Sequence, residues 1–145
     1  MRVNYNFNIN SCMKRLGLDE GGRVQTVVTN EVIDLSEQYV PFDEGTLAGS
    51  VRIENGTDVV WGGPAAPYAH YMWGGIVYED PILHCAGFQV EDGGFRSRKG
   101  VQKVPTNRRL EYQNGSLRGP FWVVRMLQNG GARLIEDKAR KAVGK

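Results

Sequence analysis

The sequence predicts an α+β fold, and three observations carry that reading. An apolar stripe at helical spacing runs from about Arg23 to Tyr39. An Asn55-Gly56 pair sits between two short β-branched runs. A second helical pattern, led by aromatic residues, closes the chain after Pro120. With 145 residues the chain is sized for one domain, here 1–145, with one hydrophobic core. Hydrophobic content of 41% and charged content of 23% are ordinary globular values, which argues against wholesale disorder.

The first residues alternate. Val3, Tyr5, Phe7 and Ile9 are interleaved with Asn4, Asn6, Asn8 and Asn10, the period-2 pattern of a strand over about 2–10. Asparagine is a poor strand former, so packing of the apolar face has to decide this element. A short apolar segment follows, with Cys12, Met13, Leu16 and Leu18, interrupted by Gly17 and Gly21-Gly22. In the next helix Val24, Val28, Val32, Leu35 and Tyr39 fall at steps of three and four and form one stripe. Glu31, Asp34, Glu37 and Gln38 are expected to face outward. Valine is an unfavourable helix former, so tertiary packing must hold this helix.

Pro41 predicts the end of the helix, because the residue before a proline is pushed out of the α region. Asp43, Glu44 and Gly45 supply a turn. Thr46 to Ser50 suit a short helical turn before a strand starts at Val51. This corner, from Tyr39 to Val51, joins two layers. The strands Val51–Asn55 and Asp58–Trp61 then flank the hairpin signal. Pro67 suits the first position of a short helix ending near Gly74.

Residues 76–118 form a long, irregular insertion, expected to project as an extended hairpin, loop or arm. Ile76–Tyr78 and Phe88–Val90 read as short strands in it. The chain's 19 glycines, a larger share than usual, cluster after residue 55 and fit a turn-rich second half. At the end Phe121, Val124, Met126, Leu127, Leu134, Ile135, Ala139 and Val143 give an apolar side. Asn129-Gly130-Gly131 breaks it, since glycine costs about 1 kcal/mol against alanine in a helix interior. Two helical pieces or one kinked helix are expected, with a basic end suited to the negative pole.

Charge and motifs narrow the chemistry. A net charge of +2 is less than a general nucleic-acid binder usually carries. The local basic residues Arg96, Arg98, Lys99, Lys103, Arg108 and Arg109 fit either a solvated surface or a face that meets DNA or an acidic partner. Two cysteines, Cys12 and Cys85, are too few for a disulfide framework and are expected reduced. No signal peptide and no membrane-spanning run are read in the chain. His70, His84, Cys12 and Cys85 lack the spacings of a zinc site, so no metal is expected. Asp43-Glu44 and Glu79-Asp80 read as turn formers rather than a catalytic carboxylate pair. The glycine pairs match neither a phosphate loop nor a dinucleotide fingerprint. No catalytic residue and no cofactor is therefore assigned. Tyr68, Tyr71, Trp73 and Tyr78 suit base stacking on one reading and core or subunit contacts on the other.

Three segments stand in order: Tyr39-Val-Pro-Phe-Asp-Glu-Gly-Thr-Leu-Ala-Gly-Ser-Val51, Pro67-Tyr-Ala-His-Tyr-Met-Trp-Gly-Gly75 and Gly119-Pro-Phe-Trp-Val-Val-Arg-Met126. Together with the N-terminal strand and helix they resemble the minor capsid and head–tail connector proteins of tailed bacteriophages, a group that includes the tail-completion proteins. That group's pattern is V-P-x-D/K-x-G-x-L-x-x-S, then P-Y-A-x-x-x-x-x-G, then an aromatic helix start near the C-terminus. The match spans most of the chain except 76–118.

The resemblance implies a twisted antiparallel sheet packed against a long N-terminal helix and a C-terminal helix. It implies a non-enzymatic virion protein of the neck, made in the host bacterial cytoplasm, that forms a ring of six or twelve copies. Its partners would be neighbouring neck, head-closure and tail proteins, with DNA passing through without sequence-specific binding. The subunit interface expected from exposure logic comprises Tyr68, Tyr71, Trp73, Tyr78, Phe88, Phe95, Arg108 and Arg109. The alternative is a monomeric nucleic-acid-binding module using the basic 96–109 loop.

Overall fold

Side-chain and backbone capping set the first element of the computed structural model, which describes residues 8–144. Helix α1 spans Ile9–Leu16. Asn8 Oδ1 accepts from the Ser11 N–H at 3.1 Å, and Gly17, at φ +70°, closes the other end. The expected strand over 2–10 is corrected here for Ile9 and Asn10, which are helical; residues 2–7 lie outside the described residues. The asparagine that read as the polar half of a strand pattern is instead a helix cap, a role its short acceptor side chain favours.

Helix α2 spans Arg23–Ser36, and one further turn runs to Val40, whose N–H donates to Ser36 O at 3.1 Å. The regular helix thus stops three residues before Tyr39, and the chain reaches Pro41 already out of register. Glu31 is a second correction. It is only 7% exposed and pairs with Lys138 across the packed α2 and last helices. The corner follows as read: Gly45 sits at φ +85° and opens the short helix α3, Thr46–Gly49.

Strands β1 (Arg52–Glu54) and β2 (Asp58–Val60) form an antiparallel hairpin in the register Ile53↔Val59. Asn55 at φ +52° and Gly56 at φ +75° give the two positive angles that a tight hairpin turn requires. Helix α4 spans Ala69–Gly74 and ends at Gly75, φ +72°. A β-carbon on Gly75 would lie 2.9 Å from Pro120 Cβ, so this residue also permits close approach of the returning chain.

The 76–118 segment carries two nested ladders. Strand β3 (Ile76–Glu79) pairs with β6 (Val104–Arg109), with a register shift between Ile76 and Tyr78. Farther out, β4 (Phe88–Gln89) pairs with β5 (Phe95–Arg96). The fold is α+β, with its strands shared among three two-stranded antiparallel ladders among the described residues.

Helix α5 spans Trp122–Met126, a wide turn covers Leu127–Gly131, and helix α6 spans Ala132–Val143. The break falls where Asn129-Gly130-Gly131 predicts it, with Gly130 at φ +99°. Pro120 lies two residues before α5, because Phe121 takes a left-handed conformation at φ +49°. The core gathers Tyr39, Val40, Leu47, Ala66, Trp122, Met126 and Ile135. Val28, Val32 and Leu35 of the α2 stripe pack against it.

Candidate functional site

The three sequence segments that carry the resemblance meet in this core. Tyr39, Val40 and Leu47 come from the first, Trp73 packs from the second, and Trp122 and Met126 come from the third. Trp122 is the hub. Trp73 meets it edge-on at 4.7 Å between ring centres and Trp61 at 6.0 Å, while Phe121 meets Trp73 at 5.6 Å. Edge-to-face pairs of this kind are worth about 0.5–1.5 kcal/mol each beyond area burial.

The returning chain from Leu110 to Phe121 straps these segments together. Leu110 N–H donates to Gly75 O at 2.9 Å and the Tyr112 hydroxyl to Met72 O at 2.7 Å. Asn114 donates to Phe42 O at 2.8 Å, Gly119 N–H to Tyr39 O at 3.2 Å and Phe121 N–H to Trp73 O at 3.1 Å. Arg118 does most at the corner. Its Nη1 donates to the carbonyls of Glu37 and Val40, and its guanidinium lies 5.3 Å from the centre of the Phe42 ring. The carbonyls freed at the end of α2 thereby gain a cationic donor.

Three grooves surround this centre. One, of about 220 Å³, lies between the corner and the strap; its charged lining residues are Asp43, Glu44 and Glu111. The second, of about 420 Å³, lies between the end of α2, α3 and Trp61; its charged lining residues are Asp34 and Glu37. The third, of about 480 Å³, is lined by Val59, Val60, Trp61, Ala69, His70, Trp73, Trp122 and Val123.

The arm is braced by ion pairs. Asp80, 6% exposed, accepts two 2.6 Å bonds from Arg98 and further bonds from the N–H groups of Ile82 and Leu83. The Arg98 hydrogen bond, aided by those backbone donors, holds the Asp80 carboxyl well below the usual carboxylate range. Glu79 pairs with Arg108 at 2.7 Å and Asp92 with Arg96 at 3.0 Å. Glu79 and Asp80 therefore serve separate cations. Lys103 donates to Ala86 O. Of the six basic residues read from the sequence, Arg96, Arg98 and Arg108 are ion-paired, and Lys99, Lys103 and Arg109 have no ion pair among the described residues.

The expected interface residues separate into groups. Tyr68 is 41% exposed beside the corner, Phe88 40% and Phe95 67% exposed on the arm. Arg108 and Arg109 are exposed at the end of β6. Tyr71, half-buried, stacks between His70 at 3.7 Å and Tyr78 at 4.8 Å. Trp73 divides its surface between the core and the third groove. Of the eight, Tyr68 lines the first groove and Trp73 the third.

Ile82 at 70% and Leu83 at 47% exposure are apolar arm residues that sequence reasoning missed. Arg118 was missed too; its signal, a single arginine before Gly-Pro, is too weak to find. No group of three or more histidine, cysteine or acidic residues is placed to hold a metal among the described residues. No helix among them is long and apolar enough to cross a membrane. No protein-family model, curated protein or solved structure matches the chain.

Proposed function

We propose that this chain is a structural subunit of the neck of a tailed bacteriophage, closing with identical copies into a ring between head and tail through which DNA passes. The observation that carries the reading is the convergence of the three motif segments on one core, tied by the Arg118 strap. Segments spaced this far apart in sequence make sense as one motif when they build one scaffold. From that scaffold the arm projects, with Ile82, Leu83, Phe88 and Phe95 exposed. Exposed apolar residues in such number on one segment suit contact with another protein.

The pairing of Arg96, Arg98 and Arg108 with arm carboxylates favours this reading over a nucleic-acid module, because half of the six basic residues of the 96–109 loop are already neutralised by carboxylates. The neck role is structural, with no catalytic residue assigned. The test is mass spectrometry of purified particles from the source phage, combined with antibody labelling in electron micrographs. The expected result is the chain present at the head–tail junction. Its absence from particles that are complete and infectious would overturn the reading.

A further inference from the structure

We propose that α1 of one copy seats in the groove between the end of α2 and α3 of a second copy. This names a partner surface for the neck ring and rests on that reading. Ile9, Cys12, Met13 and Leu16 occupy positions i, i+3, i+4 and i+7 of α1, so they share one stripe. Ile9 is 61% and Met13 39% exposed, so among the described residues the stripe is incompletely covered. The helix is formed at both ends, by the Asn8 cap and by the left-handed Gly17. Its only charges are Lys14 and Arg15, both in the last turn.

The groove is the complement. Its apolar lining includes Ile33, Ala48 and Trp61, and its only charged lining residues are Asp34 and Glu37. A β-carbon on Gly49 would meet nothing within 4 Å, which leaves room beside the wall. An amphipathic helix with three to four apolar anchors laid in an apolar groove is a recurring recognition mode. Here the rim is acidic and the helix basic, so the charges match as well.

The two patches are well separated in the fold. The chain turns from α1 into α2 where Gly17 O accepts from Val24 N–H at 2.8 Å. The groove begins at Ile33, nine residues farther on, or about 14 Å along α2 at 1.5 Å per residue. Knob and hole therefore sit at opposite ends of one helix. Two distinct patches repeat head-to-tail, and such a contact forms a ring when its rotation closes.

The test uses the full chain with Cys85→Ser, so that Cys12 is the single native thiol, and adds Ala48→Cys in the groove as its partner. Mild oxidation is followed by non-reducing gels and light scattering, with Val51→Cys as a second groove position if Ala48→Cys lowers the melting temperature. The expected result is a ladder of linked dimers and higher species that vanishes with Cys12→Ser. Oligomers without links overturn the α1 contact and leave the ring standing. A link formed within single chains also overturns it, since the occupant would be the chain's own helix. Monomers without links overturn both.

Charge reversal supplies an independent readout. Lys14→Glu with Arg15→Glu is expected to weaken assembly about tenfold, and adding Asp34→Lys with Glu37→Lys to restore it. Assembly unchanged by the first pair, or not restored by the second, contradicts the proposal.

Discussion

Arg118 Nη1 donates to the carbonyl oxygen of Val40 at 2.7 Å, joining two residues 78 positions apart in the chain. The same nitrogen reaches Glu37 O, and the guanidinium lies against Phe42. A hydrogen bond from a charged donor is worth about 1.5–3 kcal/mol, and partial exposure of the side chain lowers that. Arg118→Ala should therefore cost about 1–2 kcal/mol. Arg118→Lys should recover little, because a point charge cannot serve two carbonyls and a ring in the same geometry. Urea unfolding measures both; a lysine variant as stable as the parent would show that charge alone suffices.

The break between α5 and α6 makes a sharper claim about Gly131. A β-carbon there would lie 2.1 Å from Met126 Sδ and 2.6 Å from Met126 O. Backbone on one side leaves little room to yield. Gly131→Ala should destabilise by about 2 kcal/mol, in the range of overpacked cores. Gly130→Ala meets nothing within 4 Å but forces φ +99° on an L side chain, so it should cost less, about 1 kcal/mol. Thermal unfolding of the two variants checks the order.

Ser36 points the other way. Its hydroxyl is fully buried and has no hydrogen-bond partner among the described residues. A buried unsatisfied polar group costs about 1–3 kcal/mol. Ser36→Ala removes that group with little change in volume, so stability should stay level or rise by up to about 1 kcal/mol. A clear loss on denaturant unfolding would mean the hydroxyl does pair.

The Asp80–Arg98 pair ties arm stability to pH. The folded carboxyl titrates below its unfolded value, which lies near about 4. A depressed folded pKa stabilises above the unfolded value, and that stabilisation is lost as pH falls through the folded one. The arm should therefore loosen in acid below about pH 4 while the helical core is less affected. Asp80→Asn should produce the same loosening at neutral pH, because it leaves Arg98 without a charge partner. Amide hydrogen exchange at Ile82, Leu83 and Phe88 reads both effects. Equal protection in parent and variant would count against the brace.

Sequence legibility followed the range of the interaction. Gly45, Asn55-Gly56 and Gly130 were readable because a positive φ is a local demand that few residues meet. The α2 stripe was readable because helical periodicity is local too. Glu31 was misread because its partner Lys138 is 107 residues away, and a lone acid on a helix looks solvated until its neighbour is known. Ile9 and Asn10 were misread because alternation was weighed above capping. Asn8 as a cap, Lys14 and Arg15 in the last turn, and Gly17 beyond it were the competing signals. The strap and the grooves were out of reach, since they arise only once Arg118, Tyr112 and the corner meet in space.

The ring itself is tested most directly by the mass of the purified full chain in solution, taken by light scattering over a range of concentrations and paired with negative-stain images. The account predicts closed rings with six or twelve times the mass of one chain. A single-chain mass at every concentration, with no rings in the images, would contradict it.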